Sequence, residues 1–527
     1  MQTDGSEATP AASDRPNGVA VTIRADLATV ARGGVLNLIG VVTSTLLGLL
    51  LVLIIARGFG ATANGIFFEA VAMFSILVTI AQWGAETGMV RMIPRLRVMH
   101  RTADIRQAIR AGLVPVVVAG SVLALGMFIW AEPLGRLLTN AQHGDELGSA
   151  LRALAAFVAI DAAYTVSLAA TRGFGTMVPT VAIDKLGRAA AQVAMVLLVV
   201  AAGWSSTSLA VAWASPMALG LVAASMCAAT LLRRSQQDSS DSSAEPMRFH
   251  AMFLEFWRFT APRGLASVFA VSILWFDTLL LGAMRSAEEA GVYAAATRFL
   301  AMGQFIGLAL AQVVAPKMSE LLSIGDRERA RSVYATSTSW LILAAWPLYL
   351  TMILMAPALL AIFGQRFVEA QDAVTILGGA MLVATAVGSV DVVLLMGGRS
   401  SWNLANTAIA VASNIVLNLI LIPPYGMTGA AIAWAASILI NNLLPLVEVW
   451  RFVGIHPFNR GWLTAVLISL GSFGLVELVV RRYNGANLAS LVVAGLLGAV
   501  VFVVLATAGR RRLELSAFRD AARRSMT

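Results

Sequence analysis

Six ionisable side chains stand inside long apolar runs of this sequence, where a charge is costly. They are Glu69, Glu86, Asp161, Asp277, Arg298 and Asp391. On insertion scales a charged group at the centre of a bilayer costs about 2.5–3.5 kcal/mol, so each needs a partner or a water-filled cavity. A guanidinium in such a place can hold an anion, and a carboxylate can take a proton or a cation. These six residues are therefore the first candidates for function.

Asp277 and Arg298 flank a short polar turn centred near residue 288. Asp277 lies about eleven residues before the turn and Arg298 about ten after it, a comparable helical rise on either side. If the two apolar runs form an antiparallel helical hairpin, the two side chains lie at similar depth and within reach. Two interpretations stay open: a functional pair that lines a cavity, and a structural salt bridge that fixes the hairpin.

The remaining charges form weaker pairs. Arg57 and Glu69 lie on either side of an earlier turn, and a structural clamp is the favoured interpretation. Arg91 follows Glu86 by five residues and either attracts an anion or touches anionic lipid. Asp161 and Asp391 occupy corresponding places in the two halves of the chain. They are candidates for a coupling-ion site, with buried hydrogen bonding as the favoured alternative.

Composition decides which elements carry these residues. Of the 527 residues, 58% are hydrophobic and 13% are charged, and the mean hydropathy is +0.79. A soluble domain carries roughly 25% charged residues. Lipid cannot satisfy backbone N–H and C=O groups, and the apolar runs are continuous rather than alternating, so they are predicted to be helices. We predict an all-α polytopic membrane protein.

The apolar runs predict about fourteen transmembrane spans, since a span needs about 20 apolar residues. The predicted spans 1 to 14 are 33–56, 65–89, 111–131, 151–172, 178–202, 208–232, 264–284, 291–315, 336–356, 373–396, 402–422, 428–450, 461–480 and 488–508. A Ser- and Asp-rich stretch separates the first six spans from the rest, and a Gly–aromatic–Ala turn is repeated in both halves. We therefore predict two six-helix lobes followed by two further spans. The predicted regions are a disordered tail (1–30), an N-lobe (31–232), a linker (233–263), a C-lobe (264–450), spans 13 and 14 (451–508) and a basic tail (509–527).

Positive charge is concentrated on one side of these spans. About 30 of the 38 Lys and Arg residues fall on the side that holds both termini, which predicts that both termini are cytoplasmic. This distribution explains the net charge of +9 without nucleic-acid binding. Asp184, Lys185 and Arg188, at the start of span 5, are interpreted as interface anchors. The single cysteine, Cys227, cannot form an internal disulfide, and no metal site or cofactor is predicted.

Several short motifs resemble one known family. They are 37–40 (NLIG), 56–60 (ARGFG), 65–67 (GIF), 84–88 (GAETG), 90–95 (VRMIPR), 276–282 (FDTLLLG) and 291–298 (GVYAAATR). Their order and spacing over residues 30–450 resemble the polysaccharide transporter, or Wzx-type oligosaccharide flippase, family. That family belongs to the superfamily that also contains MurJ-type lipid II flippases and MATE drug exporters.

The resemblance implies a central cavity lined by spans 1, 2, 7 and 8. It implies that undecaprenyl-pyrophosphate-linked oligosaccharide moves from the inner to the outer leaflet of a bacterial cytoplasmic membrane by alternating access. Arg298 would then hold the pyrophosphate and Asp277 would release it or take a proton. The implied partners are the lipid-linked oligosaccharide, anionic membrane lipids and glycosyltransferases or a polymerase of the same pathway. The transport unit is expected to be a monomer and not an enzyme.

Three alternatives remain open. A MATE-like ion-coupled exporter of small molecules predicts an acidic cavity. A membrane-integral polysaccharide polymerase or ligase needs a sizeable outer loop with catalytic Arg or His, for which Arg136 and His143 are the candidates. A scaffold that recruits glycosyltransferases would use the 233–263 loop.

Overall fold

The computed structural model describes residues 16–139, 141–237 and 247–513, and these residues form helices and no strand. This confirms the predicted all-α fold class. The α-helices are α1 (Pro16–Gln82), α2 (Ala85–Val98), α3 (Ile105–Ile129), α4 (Ala131–Leu138), α5 (Gly144–Gly173), α6 (Ala189–Ala201), α7 (Ser206–Gln237), α8 (Phe249–Met284), α9 (Ala287–Ser323), α10 (Arg327–Leu354), α11 (Ala356–Ala361), α12 (Gln371–Val387), α13 (Val390–Met396), α14 (Ser400–Glu448), α15 (Arg460–Ser469), α16 (Leu475–Asn484) and α17 (Leu488–Gly509). Short 3-10 helices (Thr102–Asp104, Gln365–Ala370) and π-helices (Thr180–Arg188, Val449–Val453, Leu470–Gly474) join them.

Ten helical segments within the described ranges are long and apolar enough to cross a membrane. Two of them, Ile39–Val98 with 60 residues and Ser401–Val453 with 53, are too long for one crossing, since 20 residues already span about 30 Å. Each is broken at a glycine with positive φ, Gly60 (φ 81°) and Gly426 (φ 54°). Only glycine enters this backbone region at little cost. The protein is therefore a multi-pass membrane protein, and the number of about fourteen spans stays a prediction.

The predicted tail and linker are shorter in the structure than in the prediction. Helix α1 begins at Pro16, so residues 16–30 are helical rather than disordered. Proline is favoured at a first helical position, and residues 19–32 contain no glycine or proline to stop the helix. Helices α7 and α8 likewise extend into the predicted linker, of which 238–246 lie outside the described residues. Residues 1–15 and 514–527 also lie outside them.

The two lobes meet closely near the break at Gly60. The Asn64 Nδ2 donates a hydrogen bond to the Gly291 carbonyl oxygen at 2.7 Å. A side chain on Gly65 would collide with the backbone carbonyl of Ala287. A single hydrophobic core joins Val52 of α1 to Tyr293 of α9 at this place. We call this contact the outer seam, because the charge distribution predicts that it faces away from the cytoplasm.

Helix α8 crosses from one lobe to the other. Near its start, the Trp257 Nε1 donates to the Ala111 carbonyl oxygen of α3 at 3.0 Å. Further along, Gly264 packs against the backbone of Trp83. Near its end, Asp277 accepts a hydrogen bond from Asn418 of α14. The first half of α8 thus packs within the N-lobe, and the second half contacts both α14 of the C-lobe and Glu69 of α1.

Candidate binding cavity between the lobes

A cavity of about 410 Å³ lies between the lobes. The N-lobe contributes α1, α6, α7 and the π-helix before α6, and the C-lobe contributes α8 and α9. Its polar and aromatic lining residues are Ser44, Thr45, Phe68, Ser75, Arg188, Gln192, Trp213, Trp275, Arg298 and Phe305. Concave sites with aromatic walls and few polar groups are the usual form of a ligand site.

Arg298 of α9 is the basic group that bridges the two lobes in this cavity. Its Cζ lies 4.8 Å from the ring centroid of Phe68 in α1 and 4.8 Å from that of Trp275 in α8. Its Nε has no hydrogen-bond partner in the described part of the chain, and no carboxylate there lies within 4 Å. Aromatic faces stabilise a desolvated cation by about 2 kcal/mol or more without occupying its N–H donors. The guanidinium therefore retains donors for an anion, and its planar fork fits phosphate oxygens.

The predicted pair between Asp277 and Arg298 does not form. Asp277 is buried and accepts hydrogen bonds from the Asn418 Nδ2 at 2.6 Å and the Tyr293 hydroxyl at 3.2 Å. Equal depth in a hairpin does not determine which way a side chain points around its helix. Asp277 faces α14 within the C-lobe, whereas Arg298 faces the cavity.

Arg188 lines this cavity, whereas its place at the start of span 5 predicts an anchor at the membrane interface. Its Nε donates to the Asp184 Oδ1 at 2.7 Å, and its Nη1 donates to the Gln192 Oε1 at 3.2 Å. The Gln192 Nε2 in turn donates to the Trp213 carbonyl oxygen at 2.9 Å. The spacing of four residues between Asp184, Arg188 and Gln192 was a usable signal, since it places all three on one helix face.

Arg57 and Glu69 do not pair either. The Arg57 Nε donates to the Ile362 carbonyl oxygen at 2.8 Å, which fastens α1 to the C-lobe at the outer seam. Glu69 is completely buried against Gly282 of α8, and neither carboxyl oxygen has a hydrogen-bond partner among the described residues. Arg57 thus serves as a clamp between lobes, with a partner other than the predicted one.

Glu86 and Arg91 lie at the opposite end of the lobe contact from the outer seam. The Glu86 Oε2 pairs with the Arg172 Nη2 at 3.3 Å. Arg91 stacks on Phe259 of α8, with its Cζ 3.7 Å from the ring centroid, and lines a separate pocket of about 470 Å³. Arg91 is exposed, so this geometry leaves both its predicted roles open.

Asp161 and Asp391 have different surroundings despite their corresponding places in the lobes. Asp161 of α5 lies close enough to Arg188 for the two charges to interact. Asp391 of α13 lines a C-lobe cavity of about 430 Å³ and makes no ion pair with any described residue. Within the described ranges no group of three or more His, Cys, Asp or Glu side chains converges as a metal site would require.

Comparison with known proteins agrees with this architecture. A sequence profile of the family described as polysaccharide biosynthesis protein matches residues 30–322, more than half of the chain. The probable low-salt glycan biosynthesis flippase Agl15 of Haloferax volcanii is 30% identical over 217 residues, which are 39% of this chain and 44% of that protein. The chain thus matches less than half the length of this relative.

Solved structures share the fold. The lipid II flippase MurJ in an inward closed conformation superimposes with a TM-score of 0.69 and 14% identity, over 90% of this chain and 98% of MurJ. An inward-facing MATE multidrug transporter of the MOP superfamily gives 0.64 and 15%, over 78% and 94%. These findings confirm the resemblance that the helix and turn motifs indicate. The chain belongs to the polysaccharide biosynthesis protein family, and its fold is that of MOP superfamily transporters.

Proposed function

We propose that this protein moves a lipid-linked oligosaccharide, joined through pyrophosphate to an undecaprenyl-type lipid, from the inner to the outer leaflet. The observation that carries the proposal is the Arg298 guanidinium, held between Phe68 and Trp275 in the cavity without an anionic partner among the described residues. It offers an inter-lobe position for the pyrophosphate. Both termini face the cytoplasm of a bacterial cell in this proposal.

The physical task is to carry polar groups across hydrocarbon. Removing a hydroxyl or amide from water without a new hydrogen bond costs roughly 2–7 kcal/mol, and a charge costs far more. The Arg298 guanidinium offers a replacement donor within the cavity, and the hydroxyl oxygens of Ser44 and Thr45, whose hydrogens are donated to the Val41 carbonyl, offer acceptors. The lipid tail can stay in the bilayer while the head group passes between the lobes.

Alternating access requires that the outer seam and the opposite face open in turn. The outer seam is closed in this structure by Asn64, Arg57 and the glycine contact of Gly65 with Ala287. An inside-negative membrane potential favours outward movement of an anion by about 2.3 kcal/mol per charge per 100 mV. The potential alone therefore supplies a driving force for a pyrophosphate-linked lipid.

The alternative functions receive less support. A MATE-like exporter of cations favours an acidic cavity, whereas the inter-lobe cavity contains Arg188 and Arg298. A polymerase or ligase would need free basic groups on the outer loop. Arg136 lies 3.8 Å from Asp145 in a surface ion pair, and the His143 Nδ1 lies 3.7 Å from the Glu146 carboxylate, so each already has a neighbouring acidic partner. The relative named as a flippase favours transport over catalysis.

The proposal is tested by reconstitution into vesicles with an undecaprenyl-pyrophosphate disaccharide that carries a fluorescent sugar. We expect translocation that depends on the protein, measured as the labelled fraction that a membrane-impermeant quencher cannot reach. Hydrogen bonds to charged groups contribute about 1.5–3 kcal/mol, so Arg298→Gln should lower the rate at least tenfold.

Arg399→Gln is the matched control. Arg399 also stacks on aromatic rings, 4.7 Å from Trp402 and 5.0 Å from Phe452, but it does not line the inter-lobe cavity. Its loss should leave the rate unchanged. Equal rates in protein-containing and protein-free vesicles would refute the proposed function.

A further inference from the structure

The C-lobe contains a second polar cavity, of about 430 Å³, that the proposed pyrophosphate site does not use. Its walls come from α8, α9, α10, α12, α13 and α14. We call it the C-lobe cavity. Its polar lining includes Gln304, Ser389, Asp391, Asn441 and Asn442. A cavity of this size within a helical lobe needs a structural reason, since lobes otherwise pack closely.

A helix break creates one wall of the C-lobe cavity. Helix α12 ends at Val387, and Gly388 takes φ 75° before α13 begins. The Tyr334 hydroxyl donates to the Val387 carbonyl oxygen at 2.8 Å, so a backbone group freed by the break keeps a partner. The break turns the short helix α13 so that Ser389 and Asp391 line the cavity. Transporters commonly build substrate sites at such interrupted helices.

The polar groups of this cavity are partly unused. The Asn442 amide donates to the Ile438 carbonyl oxygen at 2.8 Å, which leaves the Asn442 side-chain oxygen as an acceptor. The Asn441 side-chain oxygen lies 3.4 Å from the Thr407 hydroxyl, which donates more closely to the Asn403 carbonyl oxygen at 2.9 Å. The Asn441 amide has no acceptor among the described residues and remains a donor. Asp391 forms no hydrogen bond or ion pair with any described residue. The cavity thus presents a donor, an amide acceptor and a carboxylate.

This set of groups suits a ligand with many hydroxyls. A sugar hydroxyl can donate a hydrogen bond to a carboxylate or to an amide oxygen. The same hydroxyl can also accept a hydrogen bond from an amide N–H group. Among the described residues, the cavity lining contains Asp391 but neither Lys nor Arg. A second anion would meet an unpaired carboxylate there, so a neutral ligand is favoured over a phosphate or a uronic acid.

The C-lobe cavity adjoins the space around Arg298. Gln304 and Trp434 line it and also line a small cavity that contains Trp275 and Arg298. A ligand can therefore present a phosphate to Arg298 and a neighbouring group to the C-lobe cavity. The indole of Trp434 supplies an apolar wall at the junction.

We propose that the C-lobe cavity is the carbohydrate subsite, with Asp391, Asn441 and Asn442 as specificity-determining residues for a neutral sugar. The inference rests on the proposed function, because it assigns the two parts of one substrate to two neighbouring cavities. It predicts that selectivity for the sugar is separable from recognition of the pyrophosphate, since different residues carry them.

The test uses free trisaccharides, which contain no pyrophosphate. Full-length protein in lipid nanodiscs is mixed with millimolar maltotriose, N,N′,N″-triacetylchitotriose or trigalacturonic acid, and saturation-transfer NMR reports contact. Nanodiscs are needed because maltoside detergents would compete. We expect signal from at least one neutral trisaccharide and none from the acidic one. Asp391→Asn, Asn441→Ala and Asn442→Ala should each reduce the signal at least fivefold at unchanged thermal stability.

Two controls separate this inference from the proposed function. Asp372→Asn removes an exposed carboxylate of α12 that is outside the cavity and should leave the signal unchanged. Arg298→Gln should also keep the trisaccharide signal while it slows translocation. Absence of signal from both neutral trisaccharides, stronger signal from trigalacturonic acid, or insensitivity to all three cavity variants would overturn the inference. Failed translocation with intact trisaccharide contact would instead contradict the proposed function.

Discussion

The guanidinium carbon of Arg298 lies 4.8 Å from the centre of the Phe68 ring, so a cation of the C-lobe rests on an aromatic face of the N-lobe. Trp275 covers it at the same distance from the C-lobe side. Any opening of the lobes that moves α1 away from α9 must separate Arg298 from Phe68. An anion that binds Arg298 therefore binds at a contact between the two lobes that must break when they open.

Trp275→Leu should weaken binding of a pyrophosphate lipid by roughly tenfold, because a cation–π contact of about 1–2 kcal/mol that holds the Arg298 guanidinium in its binding position is lost. Isothermal titration with farnesyl pyrophosphate measures this. The control is Trp450→Leu, because Trp450 is exposed on the protein surface. This variant should bind the pyrophosphate lipid as tightly as the unmodified protein. Equal affinity of both variants and the unmodified protein would show that the ring does not hold Arg298 in its binding position.

Gly65→Val should hold the outer seam open, because the added side chain meets the backbone of Ala287, which cannot move independently of α9. The measurement is labelling of Asn64→Cys by a membrane-impermeant maleimide in a Cys227→Ser background. We expect labelling to rise severalfold from the outer side.

The control for the outer seam is Gly495→Val, since nothing lies within 4 Å of a side chain built at Gly495. It should not change the labelling of the cysteine at position 64. Unchanged labelling in Gly65→Val as well would mean that the seam tolerates the added bulk.

Glu69→Met should raise thermal stability. Both carboxyl oxygens of Glu69 are buried without a partner in the described structure, and an apolar group of similar shape avoids a desolvation cost of about 1–3 kcal/mol. Glu477→Met is the matched comparison, because Glu477 is equally buried but hydrogen-bonds Thr351 and so joins α16 to α10. It should lower stability by about 1 kcal/mol. Thermal unfolding followed by size-exclusion chromatography measures both, and destabilisation by Glu69→Met would contradict the account of Glu69.

His456, in the segment between α14 and α15, should make stability depend on pH. Burial and the neighbouring Arg331 guanidinium, 2.8 Å from the imidazole Nε2, lower the pKa of His456. Between the lowered folded pKa and the unfolded value of about 6.5, the unfolded chain binds more protons, so stability falls as pH drops below 6.5. His456→Gln should flatten this dependence by less than about 1 kcal/mol, because the group is largely solvated. Melting temperatures at pH 5 and pH 7 measure it, and an unchanged slope would assign the dependence to other groups.

The helix breaks show which structural features can be predicted from a few neighbouring residues. The predicted turn between spans 1 and 2 contains Gly60, and the predicted turn between spans 11 and 12 contains Gly426; both positions have positive φ in the structure. These features depend on backbone sterics at single residues, so the sequence reveals them. The predicted span 373–396 runs straight through the break at Gly388, because Thr338, which packs against that glycine, is fifty residues away in the chain.

Composition and the order of apolar runs, by themselves, determined that this is a helical membrane protein, that its chain turns near Gly60 and Gly426, and which charged residues need explanation. Those properties follow from the exclusion of polar groups by hydrocarbon, which acts on each run separately. Only the tertiary structure decided the partners: Asp277 with Asn418, Arg57 with Ile362, Glu477 with Thr351, and Arg298 with two rings. The rotation of each helix about its axis selects these contacts. That rotation is fixed by packing against residues distant in the chain, which no local pattern encodes.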